Sequence, residues 1–210
     1  MSYKLKSSPA ESLLEVIVAL FVIASASTAS LTMISQSKNA SAISEDRTKA
    51  TELAEDGLES FVMLKNTNRM KFPEKNCWDA VLEEAACDKN SGEHLINETG
   101  STYVKVVLNP FEMRTEFEKM PDLPLNLLEN NDQNLAQMRV YGLFERTEEP
   151  NKGFLLAHKG NPETAETPKY YRMLQLEYLD ENLIRATSKV QWFSLGAVQE
   201  VTEKNIFANY

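Results

Sequence analysis

The spacing of apolar and polar residues divides this chain into three stretches of different character. Residues 13–34 are apolar on nearly all sides of a helical projection and hold eleven large aliphatic or aromatic side chains, from Leu13 and Leu14 to Leu31 and Ile34. At roughly 1.5 Å per residue this run is long enough to cross a bilayer as one helix. From Ile43 to Leu64 the apolar residues Ala50, Leu53, Ala54, Leu58, Phe61 and Val62 recur at intervals of three and four, with charged residues between them. That is the signature of a helix with one buried face. Glu45 and Lys49 stand four apart and add a small i,i+4 term of a few tenths of a kcal/mol. An unbroken helix from Glu11 to about Asn66 is roughly 80 Å long and has two different environments to satisfy. Gly57 either lets this helix lie close to another element or is a tolerated helix glycine costing about 1 kcal/mol.

Past Pro73, which ends the helix, the period changes to two. Strands are expected at 102–108, 139–145, 153–158, 170–179 and 182–194, with a turn at Gly196 and a last strand after it. Residues Ile184, Ala186, Ser188, Val190 and Trp192 share one face of the 182–194 strand, and Leu183, Arg185, Thr187, Lys189 and Gln191 the other. Residues 109–137 read as an excursion with little regular structure. The fold class is therefore α+β: a long N-terminal helix, apolar in its first half and amphipathic in its second, packed on an antiparallel β-meander head. The organisation is 1–10 a basic leader, 11–34 a transmembrane or filament-core helix, 35–70 its amphipathic continuation and 71–210 the globular head.

Charge sharpens the picture at the N-terminus. The first ten residues carry Lys4 and Lys6 and no acid, although the whole chain has a net charge of −9. By the positive-inside rule this short segment stays cytoplasmic and the head lies outside. An acidic chain is not expected to bind nucleic acid. Export places Cys77 and Cys87 in an oxidising compartment and predicts a disulfide between them. The segment they enclose, "WDAVLEEAA", reads as a short helix, so the bond requires it to stop and turn back before Cys87. No metal, cofactor or catalytic site is expected. His94 and His158 stand in no nucleophile or metal motif, and the acids at Asp180–Glu181 and Glu129–Asp132 lack calcium-loop spacing. The chain does not read as an enzyme.

One residue resists this scheme. Glu15 lies a turn inside the apolar run, and no Lys or Arg occurs between Lys6 and Lys38. The large apolar side chains favour insertion by about 3–7 kcal/mol, while a mid-span carboxylate opposes it by about 3 kcal/mol. Such an acid needs either the interface or a cation. A chain end freed by cleavage just before Glu11 would supply an ammonium group.

The stretch "SPA-ESLLEV" resembles the processing site of type IV prepilins and pseudopilins, in which a basic leader ends at a small residue and is followed by a short polar-aliphatic motif with a glutamate. "AEDGLESF" also resembles the point where minor pilin helices enter their heads. The resemblance implies cleavage by prepilin peptidase between Ala10 and Glu11, methylation of the new amine, and assembly through Leu13, Leu14 and Glu15. The glutamate would pair with the amine of a neighbouring subunit. Ala10 stands where the family usually has glycine, and Glu11 where it usually has an aromatic residue or methionine. The implied partners are other pilin or pseudopilin subunits, the peptidase, an inner-membrane assembly platform and membrane lipid before assembly. The implied function is that of a structural subunit in a type IV pilus, type II secretion or DNA-uptake filament. Two alternatives remain open: a secreted binding protein cut after "ASA" at 24–26, and an uncut single-pass anchor with an adhesin-like head.

Overall fold

The computed structural model describes residues 9–73, 101–109, 114–120, 125–127, 138–146, 155–158, 167–180 and 182–208. Helix α1 runs Pro9–Lys71, followed by strands β1 Ser101–Asn109, β2 Arg114–Met120, β3 Gly142–Arg146, β4 Leu155–His158, β5 Tyr170–Asp180, β6 Leu183–Ser194 and β7 Ala197–Ala208. The chain divides into two units between Asp46 and Arg47.

The first unit contains the leading part of α1. Every described side chain from Leu13 to Glu45 is exposed. Helical conformation is sustained here by the backbone ladder rather than by packing.

In the second unit the rest of α1 buries Ala50, Ala54, Gly57, Leu58, Phe61, Leu64 and Asn68, a stripe with helical spacing. The stripe lies on one face of the sheet. Leu58, Phe61 and Leu64 pack with Val104, Val106, Phe117, Leu174, Leu176, Ile184, Ala186 and Phe207. Ala50 and Ala54 pack with Leu143, Tyr170, Val190 and Trp192. Phe61 and Phe207 meet with ring centroids 5.3 Å apart and planes tilted by 57°, an arrangement the ring quadrupoles favour. Each large side chain buried in this way contributes about 2 kcal/mol. Arg69 and Lys71 place positive charge in the last turn, where the helix dipole favours it. The Phe72 N–H donates to the Asn68 carbonyl at 2.8 Å, and Pro73 ends the run.

The sheet order is β2-β1-β4-β3-β5-β6-β7. Only β5, β6 and β7 form a meander in chain order, paired antiparallel along almost their full lengths. The N-terminal half of β1 pairs antiparallel with β5 through Ser101–Val104. Farther along, β1 meets β4 in a single parallel pairing of Val107 with His158. Strand β3 holds the other end of β5, at Tyr170 and Tyr171. The β3–β4 pair is thus wedged between the far ends of β1 and β5, so the expected simple meander describes only the last three strands.

Two expectations need correction in detail. The 139–145 stretch is not all strand: Arg139–Tyr141 form a 3-10 turn before β3 begins at Gly142. In a 3-10 turn side chains three apart eclipse, which sends Met138 and Tyr141 together into the core on the sheet's other face. There they pack with Leu125, Leu127, Tyr171 and Met173. The 109–137 excursion contains β2, whose Phe117 pairs with Val106 and enters the helix-side core. The expected alternation along β6 is observed: Ile184, Ala186, Ser188, Val190 and Trp192 are buried. Leu195 and Gly196, with φ of 49° and 79°, form a two-residue turn into β7, the primed geometry that matches strand twist.

Candidate functional site

Two places on α1 carry the functional question. The first is the apolar half. Leu13, Leu14, Val16, Ile17 and Val18 surround Glu15, and all six side chains are exposed. Among the described residues Glu15 has no ion-pair partner, and the first cation along the helix is Lys38. Ala10 and Glu11 have helical backbone, with Pro9 two positions before Glu11 at the start of the helix, where its fixed φ suits the first turn. The helix is long and apolar enough to cross a membrane.

The hydroxyls of this segment are internally satisfied. Ser25 donates to the Phe21 carbonyl at 2.8 Å, Ser27 to Ile23 at 2.8 Å, Thr28 to Ala24 at 2.8 Å and Ser30 to Ala26 at 2.9 Å. Thr32 donates to Ala29 at 2.7 Å. Each hydroxyl therefore enters an apolar environment with its donor already used, and its desolvation cost falls accordingly. Glu15 stands alone as the strongly polar group in the run. A carboxylate so placed either reaches the membrane interface or takes a cation, which in low dielectric forms a short charge-assisted hydrogen bond.

The second place is the seam that fixes α1 on the sheet. A Cβ added at Gly57 would lie 2.7 Å from Ser188 Oγ and 3.3 Å from Arg172 Cδ. The glycine is there because the sheet approaches too closely for a side chain, which decides between the two readings of this residue. Arg172, on β5, is buried, and its guanidinium donates to the Leu53 carbonyl at 3.0 Å and to the Asp56 carboxylate. The missing side chain at Gly57 leaves the room through which Arg172 reaches that carbonyl. Ser188 Oγ and the Nε of Arg172 are buried with no hydrogen bond among the described residues. Arg172 was not among the residues singled out from sequence. The available signal was a cation at an inward position in the alternation Tyr170, Arg172, Leu174, Leu176.

Elsewhere, Glu200 on β7 collects Lys189 at 2.9 Å, the Gln191 amide at 2.6 Å and the Thr202 hydroxyl at 3.2 Å. Burial raises its carboxyl, but these hydrogen bonds and the Lys189 charge outweigh that and leave it below the ordinary glutamate value. Burial pushes the Tyr141 and Tyr171 phenols up. Lys65 reaches the Ala208 carbonyl at 2.5 Å, and burial followed by the nearby Arg69 charge lowers its ammonium.

Leu13, Leu14 and Glu15 are consecutive in the chain, and the helix points their side chains in different directions. Cys77, Cys87, His94, Glu129–Asp132 and Glu181 lie outside the described residues, and so does any disulfide. His158 belongs to β4 and Asp180 ends β5. Among the described residues no group of three or more His, Cys, Asp or Glu side chains could hold a metal ion. Comparison of the chain with family models, curated proteins and solved structures found no match.

Proposed function

We propose that the chain is a structural subunit, a minor pilin or pseudopilin, of a bacterial type IV pilus, type II secretion or DNA-uptake filament. The observation that carries this reading is Glu15: one unpaired acid on a fully exposed apolar helix whose hydroxyls are all bonded inward. Within a bundle of such helices, away from the interface, an external cation favours the acid. Cleavage after Ala10 supplies one, the α-amine at Glu11 of an adjoining subunit. Before assembly the helix holds the subunit in the inner membrane, with the basic leader cytoplasmic and the head outside. The moderate apolarity of the run suits extraction by an assembly platform into a helical bundle, where the carboxylate and amine meet only in the correct register.

The deciding measurement is mass spectrometry of the mature N-terminus in cells. A chain beginning at Glu11 is expected. One beginning at Ser27 marks an ordinary secreted protein, and an intact Met1 or Ser2 marks an uncut anchor; either ends the filament reading. With processing established, Glu15→Ala is expected to leave membrane insertion intact and to reduce recovery in sheared filaments about tenfold or more. Unchanged recovery removes the pairing.

A further inference from the structure

We propose that β7 is a self-complementary edge through which two copies of this chain pair as antiparallel strands about a twofold axis at Thr202. Among the described residues β7 pairs with β6 and has no neighbour on its outer side. The direction of its backbone groups follows from the turn. A two-residue hairpin at Leu195-Gly196 closes on a hydrogen-bonded pair, Ser194 with Ala197. Odd-numbered residues of β7 therefore bond to β6, and Val198, Glu200, Thr202, Lys204 and Ile206 turn both N–H and C=O outward. An independent contact agrees: the Ile206 N–H is taken at 2.8 Å by the side-chain oxygen of Asn205, a stand-in for a missing strand.

The side chains of these five residues decide the occupant. With Thr202 opposite Thr202, Glu200 faces Lys204 twice and Val198 faces Ile206 twice. Moving the axis to 200 or 204 sets Glu200 or Lys204 against itself. Moving it to 201 or 203 sets charges against Val198 or Ile206. Among these five residues only the register at 202 matches opposite charges and apolar pairs, both of which contribute to cross-strand stability; on the other face it sets Val201 beside Glu203. An edge lysine ordinarily discourages pairing. Here Lys204 is exposed and has no partner among the described residues, while Glu200, four residues away on the same face, holds Lys189 and Gln191 of its own sheet. Ile206 exposes 55% of its surface on that face. The isologous symmetry requires that whatever one copy offers the other accepts. This pairing does not depend on the filament reading, since no part of it involves α1.

The test uses the full chain in detergent micelles with Thr202→Cys. The two residues 202 would stand about 5.5 Å apart between Cα atoms, within disulfide range. In Lys204→Cys the two cysteines would be about 14 Å apart along the strands, out of range. Mild oxidation is expected to give about tenfold more reducible dimer from Thr202→Cys than from Lys204→Cys or the unsubstituted chain. Adding Lys204→Glu to Thr202→Cys is expected to cut that yield about tenfold. In the unsubstituted chain the Thr202 and Lys204 amides should exchange more slowly as protein concentration rises, with Glu203 unaffected. Association through α1 would cross-link both cysteines alike. Equal yields from the two variants, a yield no greater than the unsubstituted chain's, or exchange independent of concentration overturns the proposal.

Discussion

The two halves of α1 are one continuous helix under two rules. From Leu13 to Ile34 a large apolar side chain is exposed wherever it falls, Phe21 at 72% of its surface. From Ala50 to Asn68 burial follows the helical period, and Phe61 is wholly enclosed. The difference lies not in helix propensity but in what stands opposite. The second half has a sheet shaped to receive it, down to a glycine where the strands come closest. Among the described residues the first half has no cover and is stable in water only at the cost of exposing its apolar groups. A helix can thus be complete in one half and unfinished in the other, and the unfinished half states what kind of surroundings the molecule needs.

The largest contrast is expected from truncating one phenylalanine in each half. Phe61→Ala should lower stability by about 3–5 kcal/mol in chemical denaturation of the detergent-solubilised chain. Phe21→Ala should change it by less than about 0.5 kcal/mol. Comparable losses would mean that the first half is packed after all. Next in size is the seam. An exposed helix glycine replaced by alanine gains about 1 kcal/mol, but Gly57→Ala is expected to lose stability by about 1 kcal/mol because it meets Ser188. Ser188→Ala removes a buried hydroxyl with no described partner and should be nearly neutral. Combined, the two should couple favourably, since the obstructing oxygen is gone; additive effects in the double-mutant cycle would refute the close approach.

The smallest expected effect is in pH dependence, and it belongs to the second half's side of the comparison alone. Tyr141 and Tyr171 have folded values raised by burial above the ordinary 10.0. Below that value both are protonated in either state and nothing changes. Above it the unfolded chain loses the protons first, so stability falls from about pH 10 upward. Tyr141→Phe should flatten that slope in thermal melts at pH 9 to 11, whereas no change in the apolar half should alter it. An unaltered slope assigns the loss elsewhere.

Much of the fold was readable because its signals are periodic and long. The α1 stripe and the β6 alternation repeat over many residues, and each matched position reinforces the next. Strand β2 lacked that redundancy. Its one core residue with a sequence signal, Phe117, sits between Glu116 and Glu118, and three such residues look like surface. The 3-10 turn at Arg139–Tyr141 was hidden for the opposite reason, since its apolar residues suit a strand equally well. Gly57 could not be decided from the chain because the reason for it, Ser188 and Arg172, lies more than a hundred positions away. Glu15 was the reverse case. Its anomaly is wholly local, an acid among aliphatics, and the sequence displays it as plainly as the coordinates do.

The seam at Gly57 also bears on load. A force drawn along α1 reaches the head where the helix backbone is held, by Arg172 at the Leu53 carbonyl and by Ser188 filling the gap over Gly57. Sliding the helix by about one turn, roughly 5.4 Å, would bring Leu53 or Phe61, four positions to either side of Gly57, over a slot too small for a methyl group. The joint therefore acts as a detent: it resists shear in either direction without a covalent bond, and traction on the helix would move the β-sheet as cargo.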